Sequence, residues 1–255
     1  STGLKFENKG IVQGKRLEIN QDELSNAGAI LAEDLAVEGI RLVNSETGEL
    51  HADNVILKAG QDIENKGLIS SGVSLSLNAS NQLKNKGDIV GALLNIHAKK
   101  TQNEGVVHGE ESYFSAEDFV NNGMIYSDSY SRINTYTFEN HGVVSAKALL
   151  LNGSEAINAG VIQGIDGLNI RYGQLSNQGI LQSNSLNVIS DDLVNTGDIN
   201  ADLGYIASGT VLNEGAIYSQ SSLNLNVTDG LINSGVLFSE GDLFLRSSNQ
   251  LKNTG

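Results

Sequence analysis

The chain has 255 residues, with no cysteine, no proline and no tryptophan, and a single methionine. Without cysteine there is no disulfide framework and no thiolate metal site, so cysteine usage does not reveal the compartment. Basic residues are scarce: 16 Lys and Arg stand against 30 Asp and Glu, a net charge of −14 spread without blocks. That balance argues against nucleic acid or an anionic membrane surface as partner. No apolar run approaches the roughly 20 residues of a membrane-spanning helix, so no membrane insertion is expected. The stretch Ser1 to Gly10 does not read as a signal peptide, since it is already in the register of a repeat.

What the chain has in quantity is glycine, 29 residues of it, and much of that glycine sits in one recurring unit. Asn-x-Gly, followed two residues later by Ile, Leu or Val, recurs from Asn8-Lys9-Gly10 to Asn253-Thr254-Gly255. The Asn positions are 8, 26, 44, 65, 85, 103, 121, 140, 158, 177, 195, 213, 233 and 253, spaced by 18 to 21 residues. One copy is loose: after Asn44 the glycine waits until Gly48. A fixed period of this length decides the fold before any local reading does.

Counted from each Asn as zero, and shifted by two after Asn44, position +4 is always a branched aliphatic, as in Ile89, Ile125, Leu181 and Ile199. Position +6 is always small, as in Gly91, Ser127, Ser183 and Ala201. Position −2 is large and apolar except at Thr101 and Ala156. A further apolar pair near +9 and +11, such as Leu35/Val37 or Leu186/Val188, alternates with polar residues as strands do. A helix fails on this pattern. At 100° per residue +4 and +9 fall on opposite sides, and a glycine in every repeat costs a helix about 1 kcal/mol each.

The remaining solution is an all-β, parallel β-solenoid of three short strands per turn. Thirteen turns spaced by about 4.8 Å predict a rod about 60 Å long and a single domain over residues 1–255. Like residues then stack on like. A corner asparagine such as Asn85, Asn177 or Asn195 can donate to and accept from the Asn of the neighbouring turns, each bond contributing about 1 kcal/mol net. Its glycine, Gly87, Gly179 or Gly197, suits a corner that needs positive φ or has no room for a Cβ. A structural role for these asparagines outweighs a catalytic or ligand-binding one.

The units Leu175-Ser-Asn-Gln-Gly-Ile-Leu181, Leu193-Val-Asn-Thr-Gly-Asp-Ile199 and Leu83-Lys-Asn-Lys-Gly-Asp-Ile89 carry a resemblance that covers essentially the whole chain. It resembles the filamentous-haemagglutinin family, the large secreted exoproteins of Gram-negative two-partner secretion. That family includes adhesins and the stalks of contact-dependent growth-inhibition effectors. The resemblance implies a right-handed parallel β-helix and passage through an outer-membrane secretion barrel before folding at the cell surface. The family's amino-terminal secretion domain and any carboxy-terminal toxin are missing, and both ends stand in repeat register without a capping repeat. The expectation is therefore an internal fragment of a longer filament.

Parallel β-helices also build polysaccharide lyases and hydrolases, whose carboxylates converge in a cleft walled by long excursions. Turns of 18 to 21 residues leave little for such walls, and the acidic pairs Asp22/Glu23, Glu33/Asp34, Glu110/Glu111, Glu117/Asp118 and Asp191/Asp192 are scattered. The histidines His51, His97, His108 and His141 lack metal-ligand spacing, and no calcium-binding nonapeptide is present. No enzyme activity, cofactor or metal is expected.

The irregular part is the middle, where seven of the 13 aromatics lie between Tyr113 and Phe138. The outward +5 row puts His108 beside Tyr126 one turn on. Tyr130 is close by, its phase leaving both an inward and an outward orientation open. Ser112-Tyr113-Phe114 reads as a break in alternation, and Arg132 falls near an inward site with Ile133 one step late. A receptor or glycan contact, if this segment makes one, is expected at His108, Tyr126 and Tyr130. The rival reading is that these aromatics fill a locally wider core.

Overall fold

A computed structural model describes residues 3–255, which fall into two compact units, 3–128 and 129–255. Each is a stack of parallel strands, and together they supply about 13 turns of a β-solenoid. The first unit opens with three short strands to the turn: β1 (Lys5–Asn8), β2 (Ile11–Gln13) and β3 (Arg16–Asn20), then β4 (Glu23–Asn26), β5 (Ala29–Leu31) and β6 (Asp34–Asn44). β1 lies on β4, β2 on β5 and β3 on β6, all parallel, so each strand meets its counterpart one repeat later.

β6 already covers two sides of the turn, pairing with β4 as well as β3, and from Glu49 onward all three sides merge. β7 (Glu49–Asn65), β8 (Leu68–Asn85), β9 (Asp88–Asn103) and β10 (Val106–Asn121) are each one run, interrupted only at Asn-x-Gly. The bends survive as gaps in pairing: β7 meets β8 over residues 49–52, 54–59 and 62–65. With no proline in the chain, the extended backbone carries on through two of the three bends although the pairing is interrupted there. β11 (Met124–Asn140) supplies residues to both units. The second unit continues with β12 (Val143–Asn158), β13 (Val161–Asn177), β14 (Ile180–Asn195), β15 (Asp198–Asn213) and β16 (Ala216–Asn233). Three short strands follow on β16: β17 (Val236–Ser239), β18 (Asp242–Ser247) and β19 (Gln250–Asn253).

The core is built from columns of like residues. Ile69, Ile89 and Val107 stack at +4 in one unit, and Ile162, Leu181, Ile199 and Ile217 in the other, all buried. The small +6 column has a local cause. A Cβ on Gly91 would stand 2.9 Å from Leu94 Cδ2, and one on Gly14 2.8 Å from Leu17 Cδ2, so the +9 leucine fills the space a larger +6 residue would take. After Asn44 the two extra residues loop outward, pinned by Thr47 Oγ1 donating to Ala27 O at 2.8 Å. Gly48 then regains its column, donors and acceptors in place: Glu49 N bonds Gly28 O and Leu68 N bonds Gly48 O, both at 2.9 Å.

Two expectations about the middle are corrected. Alternation over Ser112-Tyr113-Phe114 is intact: Ser112 and Phe114 are buried while Tyr113 points out, its hydroxyl donating to Glu111 at 2.9 Å. The inward Ser112 and Thr101 leave volume that Phe114 and Phe119 fill, their rings 5.4 Å apart. Arg132 is exposed and Ile133 takes the inward place, fully buried.

The sequence also hid one inward column, near +13. It runs Ala59, Ala79, Ala98 in one unit and Tyr172, Ser190, Ser208, Val227 in the other. Tyr172 is its outsized member. It pairs in register with Gly153, and its Cε1 lies 2.4 Å from where a Cβ on Gly153 would stand. The ring passes that glycine to put its hydroxyl 2.8 Å from Thr135 Oγ1, two repeats back. Burial pushes the Tyr172 phenol well above its ordinary pKa, with the Thr135 bond pulling weakly the other way, so it stays neutral through the alkaline range. Tyr172→Phe is expected to cost about 1 kcal/mol in urea unfolding, because Thr135 loses its partner in a buried site. No measurable loss would show that the hydroxyl contact contributes nothing.

Candidate functional site

The most regular polar feature is the corner asparagine. Asn8, 26, 44, 65, 85, 103 and 121 form one ladder, each Nδ2 donating to the next Oδ1 at 2.8 to 2.9 Å. Asn140, 158, 177, 195, 213, 233 and 253 form another at 2.6 to 2.8 Å. Asn177 is typical, with Nδ2 also 3.1 Å from its own Gly179 O and 3.1 Å from Asp198 O. All of these are oxygens that only accept, which fixes the amide orientation and aligns the side-chain dipoles along the ladder. Asn85 repeats the arrangement with Gly87 O at 2.9 Å and Val106 O at 3.2 Å, and Asn195 with Gly197 O at 3.0 Å and Ala216 O at 3.1 Å.

The glycine beside each asparagine answers to crowding. No described glycine has positive φ. A Cβ on Gly87, Gly179 or Gly197 would stand 2.0 to 2.2 Å from the carbonyl oxygen of the preceding corner glycine. Of the two causes left open by sequence, lack of room is the one found. Around these corners Lys66 hydrogen-bonds Glu64 and Lys86 hydrogen-bonds Glu104, holding both carboxyls below the usual range. Their small contribution to stability is present above the unfolded carboxylate pKa and is lost as pH falls through the lowered folded value.

The +5 row is the other candidate. His108 and Tyr126 do meet: their rings stack with centroids 3.9 Å apart and planes at 16°, both half-buried. His108 Nε2 lies 3.1 Å from Asp128 Oδ2, a partner sequence reading did not name. Tyr130 belongs to the second unit, where it is half-buried and its neighbour Ser131 is fully buried. Phe114, Phe119 and Phe138 are core. A second stacked pair escaped notice: Tyr218 and Phe238, consecutive members of the +5 row, with centroids 5.6 Å apart and planes at 15°. The sequence signal for this pair is two aromatics at one phase in adjacent turns.

The paired acids are dispersed into solvated contacts, Glu33 with Lys15 at 3.4 Å, Glu117 with Lys99 at 3.6 Å and Asp118 with Lys100 at 3.9 Å. Among the described residues no group of three or more His, Cys, Asp or Glu could hold a metal ion. His51 bonds Ser70 Oγ at 2.8 Å and His141 lies 3.7 Å from Glu139. No family model, no curated protein and no solved structure matches this chain.

Proposed function

We propose that this chain is a non-enzymatic structural shaft from a secreted, cell-surface exoprotein of Gram-negative two-partner secretion. Such a shaft is exported through an outer-membrane barrel and carries an adhesive or effector region. The observation that supports this best is the asparagine ladder, six amide-to-amide bonds in each unit, with the polar groups of every corner committed to holding turn on turn. Stability in such an array is close to a sum over turns and their interfaces, so length can vary without loss of fold.

Excision of one repeat tests the reading. Removing Lys66–Asn85, 20 residues, joins Asn65 to Lys86-Gly87 and keeps every column in phase. The shortened chain, displayed on cells with a carboxy-terminal epitope, is expected to unfold cooperatively a few degrees below the parent and to present its epitope undiminished. Loss of presentation by a variant that still folds would overturn the shaft reading.

The exposed part of the His108–Tyr126 stack favours a second reading, a receptor contact on the first unit. His108→Ala with Tyr126→Ala is then expected to abolish binding to target cells at unchanged melting temperature. Binding that survives the double change leaves the pair as surface packing.

A further inference from the structure

We propose that the outward +5 row of the second unit, Gln163, Gln182, Asn200, Tyr218 and Phe238, is a binding site for an extended, uncharged glycan. These five residues are neighbours in strict register, Gln163 on Gln182, Gln182 on Asn200, Asn200 on Tyr218 and Tyr218 on Phe238. Beside them runs a cleft of about 200 Å³. Its floor is the small +6 column, here Ser183 and Ala201, and its far side includes Asp202. The small side chains of Ser183 and Ala201 leave a furrow between the rows on either side.

Gln163 Oε1 accepts from Ser145 Oγ at 3.4 Å, but the next two amides of this row are idle where others are employed. Elsewhere on the outward face neighbouring amides bond to one another, Asn169 with its register partner Asn187 at 3.0 Å, Asn134 with Asn152 at 3.0 Å and, diagonally, Gln82 with Gln102 at 3.1 Å. The side-chain amides of Gln182 and Asn200, adjacent and in register, have no hydrogen-bond partner among the described residues. Each therefore offers donors and an acceptor to a ligand, the chemistry a vicinal pair of hydroxyls requires. The Tyr218 and Phe238 rings, stacked on one another, extend the row with an apolar patch, and the Tyr218 hydroxyl is engaged by Glu240. A pyranose presents hydroxyls at its edge and apolar C–H groups above and below, which matches amides followed by an apolar aromatic patch. The row's repeat of about 4.8 Å is comparable to the advance of one sugar in an extended chain, so successive sugars meet successive turns.

Charge narrows the class. Between Arg171 and Arg246 the chain has no Lys, Arg or His, while Asp202 and Glu240 border the site. A uronate or sulfated polymer would meet no cation and two carboxylates, so the ligand is neutral. This goes beyond the shaft reading, and the two fail separately, since epitope presentation does not depend on sugar binding.

The test is calorimetric titration of the full chain with chitohexaose, cellohexaose, xylohexaose, mannohexaose and hexagalacturonate. At least one neutral hexasaccharide is expected to bind and hexagalacturonate is not. Tyr218→Ala, and separately Gln182→Glu with Asn200→Asp, are each expected to weaken the bound sugar about tenfold or more. The carboxylate pair conserves shape and keeps the test open if Tyr218→Ala disturbs the fold. His108→Ala with Tyr126→Ala is expected to leave the affinity unchanged. No neutral binder, equal binding of hexagalacturonate, or affinity untouched by the Gln182/Asn200 change would each overturn the proposal.

Discussion

Ile89→Asp is expected to unfold the first unit at ordinary temperature, whereas Val90→Asp, one residue on, is expected to shift its melting point slightly. Ile89 is wholly buried, and its neighbours in register are Ile69 before and Val107 after. A carboxylate there faces aliphatic side chains on both sides and finds neither a cation nor a donor, a loss of about 4–5 kcal/mol or more. The strand cannot relieve it by turning over. Asn85 and Asn103 are bonded to each other at 2.8 Å, and slipping the register by one would bury every outward residue between them. Val90 stands half-exposed between Ser70 and His108, so a carboxylate there remains hydrated and costs about 1 kcal/mol or less. Urea unfolding of the two variants decides the matter, and equal losses would mean that inward and outward have been assigned wrongly.

That contrast was legible in the sequence because +4 is fixed by its distance from the asparagine. The −2 column and the stacking of the amides were legible for the same reason: the Asn-x-Gly corner recurs and nothing is inserted close to it except after Asn44. What could not be read lies far from the corner, where the variable part of each turn sits. A period of 19 says that one residue has been added and not where. In the turn from Asn158 the extra residue falls between Gly164 and Gly167, as the shifted pairing on both neighbours shows. In the turn from Asn121 it falls before Ser131, which moves Arg132 outward and Ile133 inward. Every phase assigned beyond +6 in a long turn carries that ambiguity. The column containing Tyr172 was lost to it, and so was a definite orientation for Tyr130. The Tyr218–Phe238 pair is within reach of the period, since both residues stand at +5 in adjacent turns.

The corner glycine marks where sequence stops and geometry takes over, and two alanine substitutions separate the causes it might have had. Gly179→Ala is expected to cost about 3–5 kcal/mol, and Gly167→Ala, 12 residues earlier, nothing or a gain of about 0.4–1 kcal/mol. Neither glycine has positive φ, so neither substitution strains the backbone dihedrals. They differ only in space. A Cβ at Gly167 meets no heavy atom within 4 Å, while one at Gly179 stands 2.0 Å from Gly160 O and 2.8 Å from the carbonyl carbon of Ala159. Those neighbours are backbone and cannot rotate away, so the two turns must part by about 1 Å at that corner to restore contact near 3.0 Å. Parting them stretches the bonds from Gln178 N and Gly179 N to Asn158 O, now 2.7 and 2.9 Å, and from Ile180 N to Gly160 O, now 2.9 Å. It also pulls Asn158 Nδ2 from Asn177 Oδ1, 2.8 Å apart, leaving buried amides short of partners. Thermal melts of the two variants against the parent measure the difference directly. A Gly179→Ala protein as stable as Gly167→Ala would mean that the turns separate at little cost, and the glycine column would then need a cause other than the carbonyl stacked against it.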